Sequence, residues 1–292
     1  MIATHIDAHP KALTEEQVEF FNHEYVSTFG RILTDEELSA LRFAYERVWA
    51  DHLVPPDREE SAIPGHPSVT MEEFYHETPF TELVANDNIL MLASQVLRVK
   101  PTDLVYVGGY LHWQRLQLDW NYSDWFWDGW HVDWQPNLHP LTHVNVWVYL
   151  DDCTREEGAT QVLLGSCEKM RENLRAGLTE QDQWAENSVH TGIREMMDTV
   201  GDDPEKGTWG EAPAGGGTLW TSYLWHRIAP NHSGVRRRLV TLEYDIRGVG
   251  DDLPPNGTRV PVSLIDERMT QEQRREMAGM LPEDKRYLIP VE

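Results

Sequence analysis

The sequence predicts a mainly β protein in which helices precede a core of strands. Five segments rich in Val, Leu, Thr, Trp and Tyr are separated by Gly, Pro, Asn and Asp, a pattern typical of an all-β core. These segments are residues 104–118, 142–150, 160–164, 218–228 and 239–246.

The first hundred residues carry helix signals instead. Thr14-Glu15-Glu16-Gln17 and Thr34-Asp35-Glu36-Glu37 both fit a capping box, in which side chains at the first turn satisfy exposed backbone donors. Apolar residues recur at helical spacing after the second box, and residues 71–99 predict further helix.

We expect a single domain over residues 1–292, since the sequence contains neither a repeat nor a low-complexity linker. Residues 1–100 would form a mostly helical N-terminal support and residues 104–247 the β core. Residues 167–213 are polar and charged, and an insertion of this length predicts a lid over the site. Residues 248–292 would form a C-terminal extension with a helix after Thr270.

Composition narrows the classes of partner. With 25 Lys and Arg against 49 Asp and Glu, the formal net charge of −24 disfavours nucleic acids and anionic membranes. No apolar run could cross a bilayer, and residues 1–11 do not resemble a secretory signal. Two cysteines without a CxxC spacing argue against disulfides or structural zinc. We therefore expect a reduced, soluble, cytoplasmic protein, and none of these features predicts an oligomeric state.

His131-Val132-Asp133 is a candidate metal-binding motif. Residues i and i+2 of a strand point to the same face, so this imidazole and carboxylate could bind one ion. His226, on a distant predicted strand, could supply a third ligand. Two histidines and a carboxylate on one side of an octahedron are the ligands of non-haem Fe(II) oxygenases. The alternative is three unrelated polar residues satisfied within strands and loops.

Two other histidines have a spacing that metal sites use. His139 and His143 are four residues apart, as in a helical metal pair. Pro140 disfavours a helix there, so we interpret both as structural histidines.

A tight turn at Asn231 predicts a hairpin between the strands that flank it. In that register His226 and Arg237 lie opposite each other and share a face. Arg236 and Arg238 would point away. A guanidinium beside the metal could bind a carboxylate through two hydrogen bonds.

These residues and their surroundings resemble the phytanoyl-CoA dioxygenase-like family of Fe(II)/2-oxoglutarate oxygenases, over roughly residues 104–246. Cys167 stands where the family commonly has a histidine, at a position that is not a metal ligand. The matching segments are His131-Val132-Asp133, residues 147–152 with Glu157-Gly158-Ala159, Leu164-Gly165-Ser166, and His226 with Pro230-Asn231, Ser233 and Arg237.

The resemblance implies a double-stranded β-helix, a cupin-like jelly roll, that binds Fe(II) through His131, Asp133 and His226. The jelly roll would be the core at residues 104–247. It also implies that Asp133 favours hydroxylation or another C–H oxidation, including ring formation, over halogenation. Related halogenases carry a small residue at that position.

The same resemblance implies 2-oxoglutarate as the co-substrate and O2 as the oxidant. Arg237 would bind the distal carboxylate of 2-oxoglutarate, and Gln114 and Trp147 would add further contacts. Oxidation of a small molecule would be coupled to decarboxylation of 2-oxoglutarate to succinate.

Several aromatic residues flank the candidate motif among the 12 tryptophans of the chain. Trp130 and Trp134 would line a substrate pocket or pack in the core. His112 could also line the pocket, because it has the parity of Gln114.

The sequence leaves alternatives open for the substrate and for the functional class of the protein. Acidity and many tryptophans favour a cationic, sugar-containing substrate of the aminoglycoside type, from specialised-metabolite or antibiotic biosynthesis. An apolar or aromatic natural product is the alternative substrate. A non-catalytic jelly-roll protein that binds a metal or small ligand is the rival from another class.

Overall fold

The structure is a computed structural model. It describes residues 13–52, 68–70, 77–113, 130–132, 143–175, 191–200, 206–229, 231–235, 237–247 and 260–261. The strands are β1 (Val26–Phe29), β2 (Ser68–Thr70), β3 (Leu104–Trp113), β4 (Val144–Tyr149), β5 (Thr160–Val162), β6 (Thr208–Trp209), β7 (Gly217–Thr221), β8 (His226–Ile228), β9 (Arg238–Ile246) and β10 (Val260–Pro261). The α-helices are α1 (Glu15–Glu24), α2 (Asp35–His52), α3 (Thr78–Val84), α4 (Asp87–Leu97), α5 (Ser166–Arg175) and α6 (Thr191–Val200).

Two antiparallel sheets form the β core. The large sheet has the order β1-β7-β4-β9-β3-β10, with β2 also paired to β3. The small sheet has the order β6-β5-β8. The predicted mainly β core behind N-terminal helices is therefore confirmed.

Alternate residues of the large sheet enter two different cores, as the two faces of a strand require. On β4, Val144, Val146 and Val148 pack with helices α2 and α4. Trp147 and Tyr149 pack with residues of the small sheet. We call the face toward the small sheet the interior wall; it comprises Asn145, Trp147, Tyr149, Thr218, Trp220, Leu239, Thr241, Glu243 and Asp245.

Both predicted capping boxes are confirmed. At α1, Gln17 N donates to Thr14 Oγ1 at 3.2 Å while Thr14 N donates to Gln17 Oε1 at 2.9 Å. At α2, Thr34 and Glu37 make the same exchange at 2.7 and 3.1 Å. The start of each helix could therefore be predicted from a four-residue motif.

Strand bounds differ from expectation at several places, of which two bear on the site. β1 lies in the segment predicted as helical and pairs with β7, whose residues are distant in sequence. Residues 218–228, predicted as one strand, form β7 and β8, separated by a turn in which Leu224 N donates to Thr221 O at 3.1 Å.

The predicted hairpin around Asn231 is wrong. β8 pairs with β5 in the small sheet, whereas β9 pairs with β3 and β4 in the large sheet. The backbone amides of His232 and Ser233 donate to the carbonyl of Glu156 at 2.8 and 2.9 Å. The connection between β8 and β9 is therefore bound to the loop that contains Glu156. The chain passes from the small sheet to the large sheet and does not fold back as a hairpin.

The predicted insertion at residues 167–213 contains α6, β6 and most of α5. Its role as a lid stays a prediction, as does the division of the chain into one domain with extensions. The predicted helix after Thr270 lies outside the described residues. Within the described ranges, no helix is long and apolar enough to cross a membrane.

Candidate metal centre

His131 and His226 form an isolated antiparallel bridge between two segments far apart in sequence. The amide of each residue donates to the carbonyl of the other at 2.9 Å. Their imidazole ring centroids lie 4.3 Å apart. Two imidazoles are thereby brought side by side by backbone pairing, not by chance contact of surface side chains.

A backbone hydrogen bond orients the buried imidazole of His226. Its Nδ1 lies 3.0 Å from the carbonyl oxygen of Leu224, and a carbonyl can only accept. Nδ1 therefore carries the proton, and Nε2 carries the lone pair. Metal-binding histidines are commonly held in this way, with one ring nitrogen on a carbonyl and the other available to the metal.

Two tryptophans of the interior wall pack around His226. The ring centroid of Trp220 lies 5.0 Å from that of His226, and the ring of Trp147 lies edge-on at 6.2 Å. Both tryptophans are nearly inaccessible to solvent. They limit rotation of the imidazole and keep bulk water away from this side of it. The predicted contact of Trp147 with 2-oxoglutarate stays a prediction.

Arg237 is buried just before β9, with 2% of its surface exposed. Its Nη1 donates to the carbonyl of Gly158 at 2.7 Å and lies 3.4 Å from Cys153 Sγ. Its guanidinium carbon lies 5.5 Å from the ring centroid of Tyr149. This cation is therefore fixed inside the β core.

Arg238 points to the opposite side of the sheet. Its guanidinium binds Asp151 through Nε at 2.8 Å and contacts Glu46 of α2 at 3.1 Å. Adjacent residues of a strand alternate between faces, so one arginine enters the interior and its neighbour meets the helices. Arg236 lies outside the described residues.

The interior wall connects Arg237 to His226, although the hairpin that was expected to do so does not form. Trp147 contacts His226, and Tyr149, two residues along β4 on the same face, contacts Arg237. Such positions are roughly 7 Å apart along a strand. The guanidinium and the imidazole pair therefore line neighbouring parts of one interior.

Burial keeps the groups around Arg237 neutral. It raises the pKa of the Cys153 thiol, an effect that the positive charge of Arg237 only partly opposes. Burial also raises the pKa of the Tyr149 phenol. Near neutral pH neither group carries a negative charge.

Arg227 and Trp130 fasten the segment of His131 to β8. The guanidinium carbon of Arg227 lies 4.6 Å from the ring centroid of Trp130, and both side chains are almost fully buried. Arg227 Nε also donates to Gln161 Oε1 of β5 at 2.7 Å. Sequence reasoning missed Arg227, although its position directly after His226 was a usable signal. The predicted pocket role of Trp130 stays a prediction.

Asp133, Gln114 and Trp134 lie outside the described residues, so the third metal ligand stays a prediction. His112 is described only in its backbone, on β3 opposite Leu239, and its pocket role stays a prediction. Among the described residues, no group of three or more His, Cys, Asp and Glu is placed to hold a metal.

The predicted structural role of His143 stays a prediction. Its imidazole is fully buried, and its Nδ1 forms a short hydrogen bond with Ser222 Oγ. His139 lies outside the described residues.

The two imidazoles, together with the carboxylate predicted at Asp133, would fit Fe(II). Two imidazoles stand together, one of them with a fixed tautomer, and Asp133 follows His131 by two positions. Nitrogen and carboxylate oxygen donors of this kind leave coordination sites open for a chelating co-substrate. A cation inside the same core suits the far carboxylate of that co-substrate.

Solved structures with similar folds contain jelly-roll oxygenases. EvdO2 from Micromonospora carbonacea var. aurantiaca, complexed with 2-oxoglutarate, is 18% identical, with 91% of this chain and 100% of that chain covered and a TM-score of 0.55. HygX from Streptomyces hygroscopicus, with nickel and 2-oxoglutarate bound, is 18% identical, with 80% and 88% covered and a TM-score of 0.51. SnoK, a non-heme alpha-ketoglutarate-dependent carbocyclase from nogalamycin biosynthesis, is 17% identical, with 85% and 87% covered and a TM-score of 0.51. The jelly-roll fold is thus confirmed.

None of the curated proteins compared with the chain matches it significantly. The family model for phytanoyl-CoA dioxygenase (PhyH) matches residues 29–239, well over half of the 292 residues. This range includes both histidines of the bridge and Arg237. The chain belongs to the phytanoyl-CoA dioxygenase (PhyH) family and is an Fe(II)/2-oxoglutarate-dependent dioxygenase that uses iron, 2-oxoglutarate and O2.

Proposed function

We propose that His131, Asp133 and His226 bind the Fe(II) and that Arg237 binds the distal carboxylate of 2-oxoglutarate. The observation that carries this proposal is the His131–His226 bridge, with ring centroids 4.3 Å apart and His226 Nδ1 held by a carbonyl. Asp133 is included because it follows His131 by two residues in the sequence. Gln114 and Trp147 would contact the co-substrate as well.

When bound, iron, 2-oxoglutarate and O2 supply the oxidant for a substrate C–H bond. The residues of the chain bind these ligands and orient them. Arg237 fixes one end of the dicarboxylic acid, while Gly158 and Tyr149 fix Arg237. Trp147 and Trp220 exclude water from one side of His226.

We propose a small-molecule substrate from specialised metabolism, oxidised by hydroxylation or by another C–H functionalisation such as ring formation. Support comes from the carbocyclase SnoK, whose fold is similar. A cationic, sugar-containing substrate is favoured by the net charge of −24. Asp133 disfavours halogenation, since it occupies the position a halide would need.

Turnover of 2-oxoglutarate tests the assignment without a known substrate. Purified protein with Fe(II) and air should form succinate slowly from 2-oxoglutarate, and Asp133→Ala should abolish this activity. His23→Ala, a histidine at the end of α1, is the matched control and should leave it intact. Succinate formation that survives in Asp133→Ala and in His226→Ala would refute the ligand assignment.

A further inference from the structure

The interior wall carries opposite charges at its two ends. Arg237 lies just before β9, whereas Glu243 and Asp245 lie near its end and face the same interior. Strand geometry separates Arg237 from Glu243 by roughly 20 Å. His226 lies between them, because it contacts Trp147, whose cross-strand neighbour on β9 is Thr241. A dicarboxylic acid and a cation would therefore be drawn to opposite sides of the metal.

Gly108 leaves room for the Glu243 carboxylate. The pairing of β3 with β9 shifts register between Tyr106 and Gly108, which places Gly108 directly opposite Glu243. A Cβ on Gly108 would lie only 3.1 Å from Glu243 Oε2. Bulges are found where a strand re-aims side chains next to binding sites. The glycine and the bulge together let the carboxylate occupy the interior.

Further buried polar atoms face this part of the interior. Thr241, two residues before Glu243 on the same face, is 3% exposed, and its Oγ1 has no hydrogen-bond partner among the described residues. His143 Nε2 is likewise without a hydrogen bond within those ranges and lies 3.6 Å from Glu243 Oε2. A buried polar atom without a hydrogen bond is costly, so the Thr241 hydroxyl calls for a polar partner from a bound molecule.

We propose that Glu243, Thr241 and His143 form a subsite that binds an ammonium group of the substrate. An ammonium offers three N–H donors and one positive charge, which match the Thr241 hydroxyl oxygen and the Glu243 carboxylate beside His143. A neutral hydroxyl would bring no positive charge to the buried carboxylate. The inference rests on the proposed function, because the subsite would hold the substrate on the side of the iron away from Arg237.

Paired amine and amide probes test the subsite. The wild-type protein, loaded anaerobically with Fe(II) and 2-oxoglutarate, is titrated calorimetrically with kanamycin A, neamine and 2-deoxystreptamine, each beside its fully N-acetylated form. At least one amine should bind, and its acetylated form should bind at least tenfold more weakly. Glu243→Gln should weaken binding of that amine at least tenfold, and Thr241→Val about threefold. Glu172→Gln, on the exposed side of α5, removes the same charge and should have no effect.

Three outcomes would overturn the proposal: no amine binds the wild type, the acetylated forms bind equally well, or Glu243→Gln leaves binding unchanged. The visible charge-transfer band of the Fe(II)–2-oxoglutarate chelate distinguishes failure of the ammonium subsite from failure of the proposed function. If the wild type shows the band and one of these outcomes occurs, only the ammonium subsite is refuted. If Glu243→Gln does not fold, as judged by thermal unfolding, unchanged binding in Thr241→Val refutes the subsite.

Discussion

Arg237 lies over the ring of Tyr149, with its guanidinium carbon 5.5 Å from the ring centroid. An arginine held by a ring and by a carbonyl is oriented before any ligand arrives, so less side-chain entropy is lost on binding. The residue next to it, Arg238, is bound to Asp151 and Glu46 on the other face of the sheet. The two arginines are a matched pair for experiment, since they differ mainly in the face they occupy.

Arg237→Ala should weaken 2-oxoglutarate binding at least about 30-fold, because loss of one partner of a buried charged pair costs about 2–5 kcal/mol. The half-saturating concentration of 2-oxoglutarate, read from the charge-transfer band of the anaerobic Fe(II) complex, measures this. Arg238→Ala should shift that concentration by less than about threefold. Equal effects of the two substitutions would refute the role of Arg237.

Arg227→Lys should lower metal affinity about tenfold, since groups that orient metal ligands commonly contribute 10- to 100-fold. Lysine keeps the charge but loses the stacking on Trp130 and the hydrogen bond from Nε to Gln161. Titration of the apoprotein with Fe(II) or Co(II) under anaerobic conditions measures the affinity. Arg155→Lys alters a more exposed arginine–tryptophan contact, with Trp209, and should leave metal affinity unchanged. Unchanged metal affinity in Arg227→Lys would contradict the role of Arg227 in positioning His131.

Alkaline pH should destabilise the fold through its buried thiols. Burial raises the pKa of Cys167 to about 12 from an ordinary value of 9.0. The unfolded chain therefore loses this proton first as pH rises, and the stabilisation present below about pH 9 is lost progressively toward pH 12. Urea unfolding at several pH values should show a shallower decline in Cys167→Ala than in the wild type. If the free energy of unfolding declines equally with pH in both proteins, Cys167 is not the source of the alkaline destabilisation.

Local patterns in the sequence predicted much of the fold. Thr14 and Thr34 begin helices because a capping box needs only a hydroxyl and a carboxylate or amide at fixed spacing. β1 was missed, since its four residues are stabilised by pairing with Trp220 and its neighbours, which no local pattern reveals. Strand partners are a property of the whole chain.

The site shows the same limit. The sequence identified His131 and His226 as candidate ligands, and the structure places their rings side by side. Arg237 was selected through a hairpin that does not form, yet the residue is buried in the interior because the parity of β9 puts it there. Glu243 had no motif to mark it, since its position depends on a bulge in β3 between Tyr106 and Gly108.

His131, Asp133 and His226 are proposed to bind one ferrous ion that 2-oxoglutarate chelates. Anaerobic addition of Fe(II) and 2-oxoglutarate to the wild-type protein measures this most directly by visible absorption. We predict a weak charge-transfer band that saturates at one Fe(II) per chain and is lost in His131→Ala and in His226→Ala. A wild-type protein without the band, or a band of full intensity in both histidine variants, would contradict the claim.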